Sequence, residues 1–71
     1  MISSMIQVTV NGAPHRFDDA LDVAGLIERL QLAGKKVAVE RNGEIVPRSA
    51  HRATHLTNGD RLEIVVAVGG G

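Results

Sequence analysis

The sequence predicts an α+β fold, in which one helix packs across one face of a mixed sheet of four to five strands. Three observations lead to this prediction. Two Asn-Gly pairs, at 11–12 and 42–43, each lie between strand-like segments. Segment 23–30 has its apolar residues at helical spacing, and the last apolar run, 62–68, alternates like a strand.

The first strand pair is predicted at the start of the domain. Every second residue of 6–10 is apolar, which is the pattern of a strand with one buried face. Asn11 and Gly12 follow, and a type I′ hairpin turn needs positive φ at both of its central residues. The returning strand is then 13–17, and Pro14 indicates that this strand lies at an edge of the sheet.

The single helix is predicted to begin after Asp22, whose side chain can cap the first turn. Its apolar stripe consists of Val23, Leu26, Ile27 and Leu30. Gly34 is well placed to end the helix in the left-handed conformation. Asp18 and Asp19 lie before the positive end of the helix dipole, which accounts for these carboxylates without a bound cation.

The second half of the chain is predicted to complete the sheet. Its segments are a strand at 36–41, a short strand at 45–46 stopped by Pro47, a loop with a short helical turn at 48–57, and a final strand at 62–68. The final strand is expected to lie centrally, beside the first. We therefore expect one β-grasp domain over 1–68, with 69–71 as a flexible glycine tail.

The composition excludes several classes of function. A chain of 71 residues supports one small core, and without cysteine it has neither disulfides nor thiolate-bound metal. Eight basic residues balance eight acidic ones, so the charge pattern of a nucleic-acid binder is missing. No apolar run is long enough to span a membrane, and no signal peptide is evident, so we expect a cytoplasmic protein.

The candidate catalytic and metal-binding residues are few. His51 and His55 are four residues apart, as a metal pair on a helix would be, but Arg52 stands where a zincin has its glutamate, and no third ligand is apparent. We therefore expect two solvent-exposed loop histidines and no metal site. Without a nucleophile motif, a self-contained enzyme is not expected.

The three terminal glycines allow two interpretations. On composition alone, Gly69, Gly70 and Gly71 are a frayed end, since glycine is permissive and termini are commonly disordered. In the functional interpretation, the glycines form a narrow tail that threads into a partner's active site. Three extended residues reach about 10 Å. The tail would deliver the Gly71 carboxylate, which is ionised at neutral pH and can attack the α-phosphate of ATP.

Four stretches of the sequence carry a resemblance to a known family: VNG near the start, VAGLIERL, VAVERNGEIVPR, and NGDRLEIVVAVGGG at the end. Each stretch alone is common, but together, in this order and at this length, they are specific. The chain resembles the ThiS family of thiamine biosynthesis, whose members are ubiquitin-like β-grasp sulfur carriers. The resemblance covers nearly the whole chain.

The resemblance implies a role as a carrier and not as an enzyme. A ThiF-like adenylating enzyme would activate Gly71 with ATP, and sulfur from a cysteine-based donor relay would replace AMP to give a thiocarboxylate. Thiazole synthase would then receive the sulfur during thiazole formation. Gly70 and Gly71 match the family's Gly-Gly end, and Gly69 adds a further flexible link. No cofactor is expected on the carrier itself, which would be a monomer when alone.

Partner contacts are expected near the tail, at Val65, Ala67 and Val68, because the adenylating enzyme must hold the domain close to the segment that it threads. Three alternatives stay open. The small subunit of molybdopterin synthase shares the fold and the Gly-Gly end, although the short chain and the ERNGEIVPR stretch favour the thiamine branch. A ubiquitin-like protein modifier and an inert β-grasp interaction module are the other two.

Overall fold

A computed structural model describes residues 5–67 of the chain. It contains β1 (Ile6–Val10), β2 (Ala13–Phe17), α1 (Val23–Arg29), β3 (Val37–Arg41), β4 (Glu44–Val46), a 3-10 turn (Arg48–Ala50) and β5 (Arg61–Val66). The predicted order of elements is confirmed. The predictions for Val68, Gly69, Gly70 and Gly71 lie outside the described residues.

The five strands form one mixed sheet in the order β2-β1-β5-β3-β4. β1 runs parallel to β5, and the other neighbours are antiparallel. The predicted central position of the last strand, beside the first, is confirmed. β2 lies at an edge, which is where Pro14 belongs because it cannot donate a ladder hydrogen bond.

Both Asn-Gly turns have the predicted conformation. Asn11 and Gly12 have φ angles of 51° and 84°, and Asn42 and Gly43 have 53° and 87°. Positive φ at both central residues is the geometry whose twist matches that of a β-hairpin. The two turns therefore set the register of the β1–β2 and β3–β4 pairs.

The start of α1 is as predicted, and its end is not. Asp22 caps the helix by accepting a 2.6 Å hydrogen bond from the amide of Gly25. The prediction that Gly34 ends the helix is wrong, because α1 stops at Arg29 and Gln31 adopts the left-handed conformation, with φ of 62°. Gly34 lies in the turn that follows.

A Schellman motif explains this early stop. The amide of Leu32 donates to the carbonyl of Ile27, and the amide of Gln31 donates to that of Glu28, each at 3.0 Å. Leu32 packs against the core, as the residue after the left-handed position of this motif commonly does. The apolar contact of Leu32 thus sets the end of the helix, at the cost of a left-handed glutamine.

The core is aliphatic and lies between α1 and one face of the sheet. Its largest fully buried side chains are Leu26, Leu62, Val8, Val23 and Val39. The helix stripe and the alternating strand residues meet here, as their spacings predict. Burial of this apolar surface is the main force that holds the domain together, as each such side chain contributes roughly 1.5–3 kcal/mol.

The loop that follows the 3-10 turn is attached to the start of the helix. The amides of Val23 and Ala24, which have no partner within the helix, donate to the carbonyls of Thr54 and His51 at 3.0 and 3.1 Å. His55 is exposed, as predicted, but the prediction of an exposed His51 is wrong, because only 8% of its surface is accessible. The backbone bond to the helix draws His51 into the interior.

Asp60 is a buried carboxylate that fixes the start of β5. It is 5% exposed, and its two oxygens accept hydrogen bonds from the Arg41 guanidinium, the Asn42 side-chain amide, and the amide and hydroxyl of Thr57. Burial by itself raises the pKa of Asp60, but the hydrogen bonds from Thr57, Arg41 and Asn42 outweigh it and hold the pKa below its ordinary value.

We expect Asp60→Ala to lower the free energy of unfolding by about 1–3 kcal/mol at neutral pH, because its buried donors lose their acceptor. Since the pKa of folded Asp60 lies below the ordinary 3.8, the carboxylate stabilises the fold above that pH, and this contribution is lost as the pH falls through the folded pKa. The check is the free energy of urea unfolding of the wild type and of Asp60→Ala. It is measured at neutral pH and again at a pH below 3.8 that is low enough to protonate Asp60 in the folded protein.

The matched control is Asp19→Ala. Asp19 makes an exposed 3.7 Å ion pair with Arg29, so its removal should change stability by less than about 0.5 kcal/mol. The wild type and Asp60→Ala should differ less in free energy of unfolding in acid than at neutral pH. If the difference stays the same, the ionised carboxylate of Asp60 does not have the role assigned to it.

Candidate functional site

The C-terminal end of β5 is the base from which the glycine run leaves the domain. β5 is paired on both sides, with β1 at Arg61 and Leu62 and with β3 from Leu62 to Val66. The amide of Ala67, the last described residue, donates to the carbonyl of Lys36 at 2.8 Å. The sheet therefore holds the chain as far as Ala67. A tail that begins after this residue would be presented from the end of β5.

The side chain of Asn11 extends the sheet at this end of β5. β1 stops pairing at Val10, but Asn11 Oδ1 accepts from the amide of Ile64 at 2.8 Å, and its Nδ2 donates to the carbonyl of Ile64 at 3.0 Å. The side-chain amide thus replaces the backbone of one further strand residue. Asn11 therefore has two roles. Its backbone forms the turn, and its side chain continues the hydrogen bonding between β1 and β5 by one residue.

An exposed apolar strip, made of Ala38, Ile45, Val65 and Ala67, lies on the face of the sheet away from α1. Val65 and Ile45 are 64% and 66% exposed, and Ile45 stands opposite Glu40 at the β4 edge. Ala38 is opposite Val65 in the β3–β5 ladder, and Ala67 follows on the same face of β5. Two of the predicted contact residues, Val65 and Ala67, are therefore accessible, and Val68 lies outside the described residues.

Two carboxylates border this strip. Glu40 and Glu63 lie directly opposite each other in the β3–β5 register, on the same outer face as Val65. Like charges in directly opposed positions destabilise a sheet. Arg61 is two residues before Glu63 on the same face of β5 and lines a pocket together with both carboxylates, so the outer face has an apolar centre and a charged border.

Other chemistry is sparse in the part of the chain that the structure describes. Among residues 5–67, no three His, Cys, Asp or Glu side chains are grouped so that they could hold a metal ion. Two acidic residues near the start of the helix have other roles, because Asp22 caps α1 and Asp19 pairs with Arg29. No helix within 5–67 is both long enough and apolar enough to cross a membrane.

Sequence reasoning missed the two side chains that position β5, Asn11 and Asp60. The Asn-Gly signal predicts the turn at Asn11, but the partner of its side chain, Ile64, is 53 residues away in the chain. Asp60 follows an Asn-Gly pair and looks like an ordinary turn residue. A possible signal for Asp60 is its position directly before the most apolar strand, where an acidic residue needs a partner once the strand is buried.

The sequence and the fold were compared with those of known proteins. Residues 8–71 match the model of the ThiS family. The crystal structure of the thiamine biosynthesis protein ThiS from Geobacter metallireducens superimposes with a TM-score of 0.78 at 39% identity, and the match covers 93% of this chain and all of that one. This likeness supports the β-grasp assignment of the sheet and helix.

Two proteins similar in sequence to this chain differ in how much of their own length the chain covers. A thiazole synthase from Paramagnetospirillum magneticum is 41% identical over 66 residues, which are 93% of this chain but 20% of that protein. The protein ycf40 of Pyropia yezoensis is 34% identical over 71 residues and is matched along its full length. The chain thus spans one whole relative and a fifth of another.

We expect Asn11→Gly to weaken the support of β5 without disturbing the turn, because glycine adopts positive φ readily but has no side-chain amide. Unfolding should require about 1–3 kcal/mol less free energy, and the amide of Ile64 should exchange faster with solvent. The amide of Ala67, which is bonded to Lys36, provides the internal reference for hydrogen exchange measured by NMR.

Asn11→Asp is the matched variant, since it keeps the oxygen that accepts from Ile64 and loses the donor. It should retain more protection at the Ile64 amide than Asn11→Gly does. Equal exchange at Ile64 in the wild type and Asn11→Gly would show that this amide is protected by something other than Asn11.

Proposed function

This chain belongs to the ThiS family, and we propose that it carries sulfur as a thiocarboxylate on Gly71 for thiazole formation in thiamine biosynthesis. The proposal requires a free α-carboxyl group at Gly71. The observation that carries it is the family match, which runs from residue 8 through the glycine run to residue 71. The domain itself is the carrier, and the chemical steps take place in partner enzymes.

The proposed cycle has two steps at the Gly71 carbon. An oxygen of the carboxylate first attacks the α-phosphorus of ATP, which releases pyrophosphate and leaves an acyl-adenylate. A sulfur nucleophile from the donor relay then attacks the acyl carbon, and AMP departs with one of the two original oxygens. If this nucleophile is a cysteine persulfide, the product is an acyl disulfide, and a second thiol of the relay then cleaves its S–S bond. The relay is left with a disulfide, and the Gly71 carbon keeps one oxygen and one sulfur as a thiocarboxylate.

The architecture supports this role by separating a rigid base from a narrow tail. Ala67 is hydrogen-bonded to Lys36, the residue before β3, and Gly69, Gly70 and Gly71 follow after a single residue. Glycines have no side chains to obstruct a tunnel, and three of them reach about 10 Å. A ThiF-like enzyme that grips the domain can therefore receive the carboxylate at a set distance.

Thiazole synthase is the proposed acceptor of the sulfur. The relative from Paramagnetospirillum magneticum that is named thiazole synthase contains a region 41% identical to this chain as a fifth of its length. Covalent linkage of two partners raises their effective concentration, so such a fusion is useful where a carrier domain and a synthase work together. We place this carrier in the cytoplasm with its partners, as a monomer when they are absent.

The exposed apolar strip, on the face of the sheet away from α1, is the proposed docking surface for the adenylating enzyme. Ala38, Val65 and Ala67 form a small apolar centre next to the tail, and Ile45 lies farther out on β4, opposite Glu40. Glu40, Glu63 and Arg61 give this centre a charged border. Interfaces commonly have such an apolar centre within a polar rim. Val68 would extend the contact toward the tail.

The first test is the intact mass of the protein after incubation with ATP, a ThiF-like adenylating enzyme and a sulfur donor. We expect a mass gain that corresponds to the exchange of one oxygen for sulfur, and fragmentation should locate it at Gly71. A copy without Gly70 and Gly71 is the control and should gain nothing.

Other outcomes of the same experiment identify the alternatives. Sulfur transfer to a molybdopterin synthase large subunit, and not to thiazole synthase, would indicate the molybdopterin branch. Isopeptide conjugates on lysines of other proteins would indicate a ubiquitin-like modifier. If no adduct forms, the remaining interpretation is that the chain is an inert β-grasp interaction module.

The docking surface is tested by Val65→Asp and Ala67→Asp. Each change places a charge in the apolar centre of the proposed interface, so we expect the rate of adenylation to fall at least about tenfold. The exposure of both positions predicts little change in the melting temperature. ATP–pyrophosphate exchange and thermal unfolding provide the two measurements.

Ala20→Asp is the matched control, because Ala20 is also exposed but lies in the loop before α1. It should leave adenylation unchanged. If the Val65 and Ala67 variants lose thermal stability and activation in equal measure, these residues serve the core and not the interface.

A further inference from the structure

A cleft on the helix side of the molecule concentrates positive charge. It lies between α1, the segment that leads into β3, and the residues around the 3-10 turn, and its volume is about 450 Å³. Four of the chain's eight Lys and Arg residues line it, against one of its eight Asp and Glu residues. The cations are Lys35, Lys36, Arg48 and Arg52, and the acid is Glu28.

Within residues 5–67, none of these four cations forms an ion pair with a carboxylate. The ion pairs found within residues 5–67 join Arg29 to Asp19 and Arg41 to Asp60, both away from this cleft. Clustered like charges repel one another, and a concave surface lined by one sign of charge attracts ions of the other sign. In a chain whose formal net charge is zero, this local excess indicates an anionic ligand.

A second observation at the same cleft is independent of the charge. His51 lines the cleft and is 8% exposed, and its Nε2 is buried without a hydrogen-bond partner among residues 5–67. A buried polar atom without a partner is rare and destabilising, so it calls for an explanation. Its backbone amide donates to the carbonyl of Arg48 and its carbonyl accepts from the amide of Ala24, which fixes the backbone of His51 beside the cleft.

We propose that this cleft binds a phosphate-bearing small molecule, with Arg48 and Arg52 as the guanidinium groups, Lys35 and Lys36 as point charges, and His51 as a further hydrogen-bonding group. The planar guanidinium suits the paired oxygens of a phosphate. The lining also contains Ala24, Ile27 and Val37, which gives an apolar surface for an organic part of the ligand. A volume of about 450 Å³ is typical of a small-molecule site.

The cleft is connected to the root of the tail. The carbonyl of Lys36, a cleft residue, accepts the hydrogen bond from Ala67. The backbone of this cleft residue is therefore bonded directly to the last described residue of the chain. Phosphate binding is nonetheless a property of the folded domain alone, and it does not depend on the sulfur chemistry of the tail.

The test uses the isolated full chain, labelled with nitrogen-15 and titrated with inorganic pyrophosphate at low ionic strength. We expect saturable shifts of the amides of 35–37 and 48–52, together with a change in the imidazole nitrogen resonances of His51. Sodium chloride at matched ionic strength is the reference. If chloride produces the same shifts, the cleft attracts only a diffuse ion atmosphere, and the proposal is overturned.

Two double variants with the same change of charge distinguish specific binding in the cleft from a general electrostatic attraction of pyrophosphate to the protein. Arg48→Gln with Arg52→Gln should weaken pyrophosphate binding at least about tenfold, since charge-assisted hydrogen bonds are lost. Arg16→Gln with Arg61→Gln, at positions outside the cleft, should leave binding unchanged. Equal weakening by both pairs would overturn the site.

A third variant, His51→Phe, tests the imidazole. It fills a similar space without the nitrogen, so the fold should persist, and pyrophosphate should bind more weakly than to the wild type. A folded His51→Phe that binds as well as the wild type would remove His51 from the site. These measurements need neither ATP nor a partner enzyme, so their failure leaves the proposed sulfur carrier untouched.

Discussion

The fold depends on the pairing of β5 on both of its sides. This strand comes last in the chain, yet it occupies the centre of the sheet, where Leu62 is fully buried. The sheet is therefore incomplete until nearly the whole chain has been assembled. Three polar side chains from elsewhere stabilise the strand: Asn11 bonds to Ile64, Asn42 accepts from the amide of Arg61, and Asp60 anchors the preceding turn. Backbone pairing alone does not hold β5 in place.

The central position of β5 also determines which surfaces are open to partners. Its inward side chains are committed to the core, so only its outer face and the chain beyond Ala67 can be presented. A rigid base limits the conformational entropy that is lost when the tail enters a partner. The same strand thus provides the stability of the domain and the proposed delivery of Gly71, and a mutation that loosens β5 should affect both.

Local patterns predicted most of the fold, and long-range contacts account for what they missed. The apolar alternation of β1 and β5, the helical spacing of α1 and the two Asn-Gly turns are properties of a few neighbouring residues. Gln31 ends the helix in place of Gly34 because Leu32 reaches the core, and His51 is buried because its carbonyl bonds to Ala24. Neither fact can be read from the residues next to these positions. The role proposed for Gly71 as the site of sulfur attachment rests on the resemblance, because no pattern within the chain specifies sulfur.

The proposed cycle places a limit on how strongly any partner can hold this domain. The adenylating enzyme and thiazole synthase must both reach Gly71, and both must grip the domain close to Ala67, so the two complexes exclude each other. Turnover then requires the first partner to leave, which tight binding would prevent. The strip of Ala38, Ile45, Val65 and Ala67 suits this requirement, because it contains only two large apolar side chains. A small apolar centre with a charged border provides orientation and fast association more than lasting affinity.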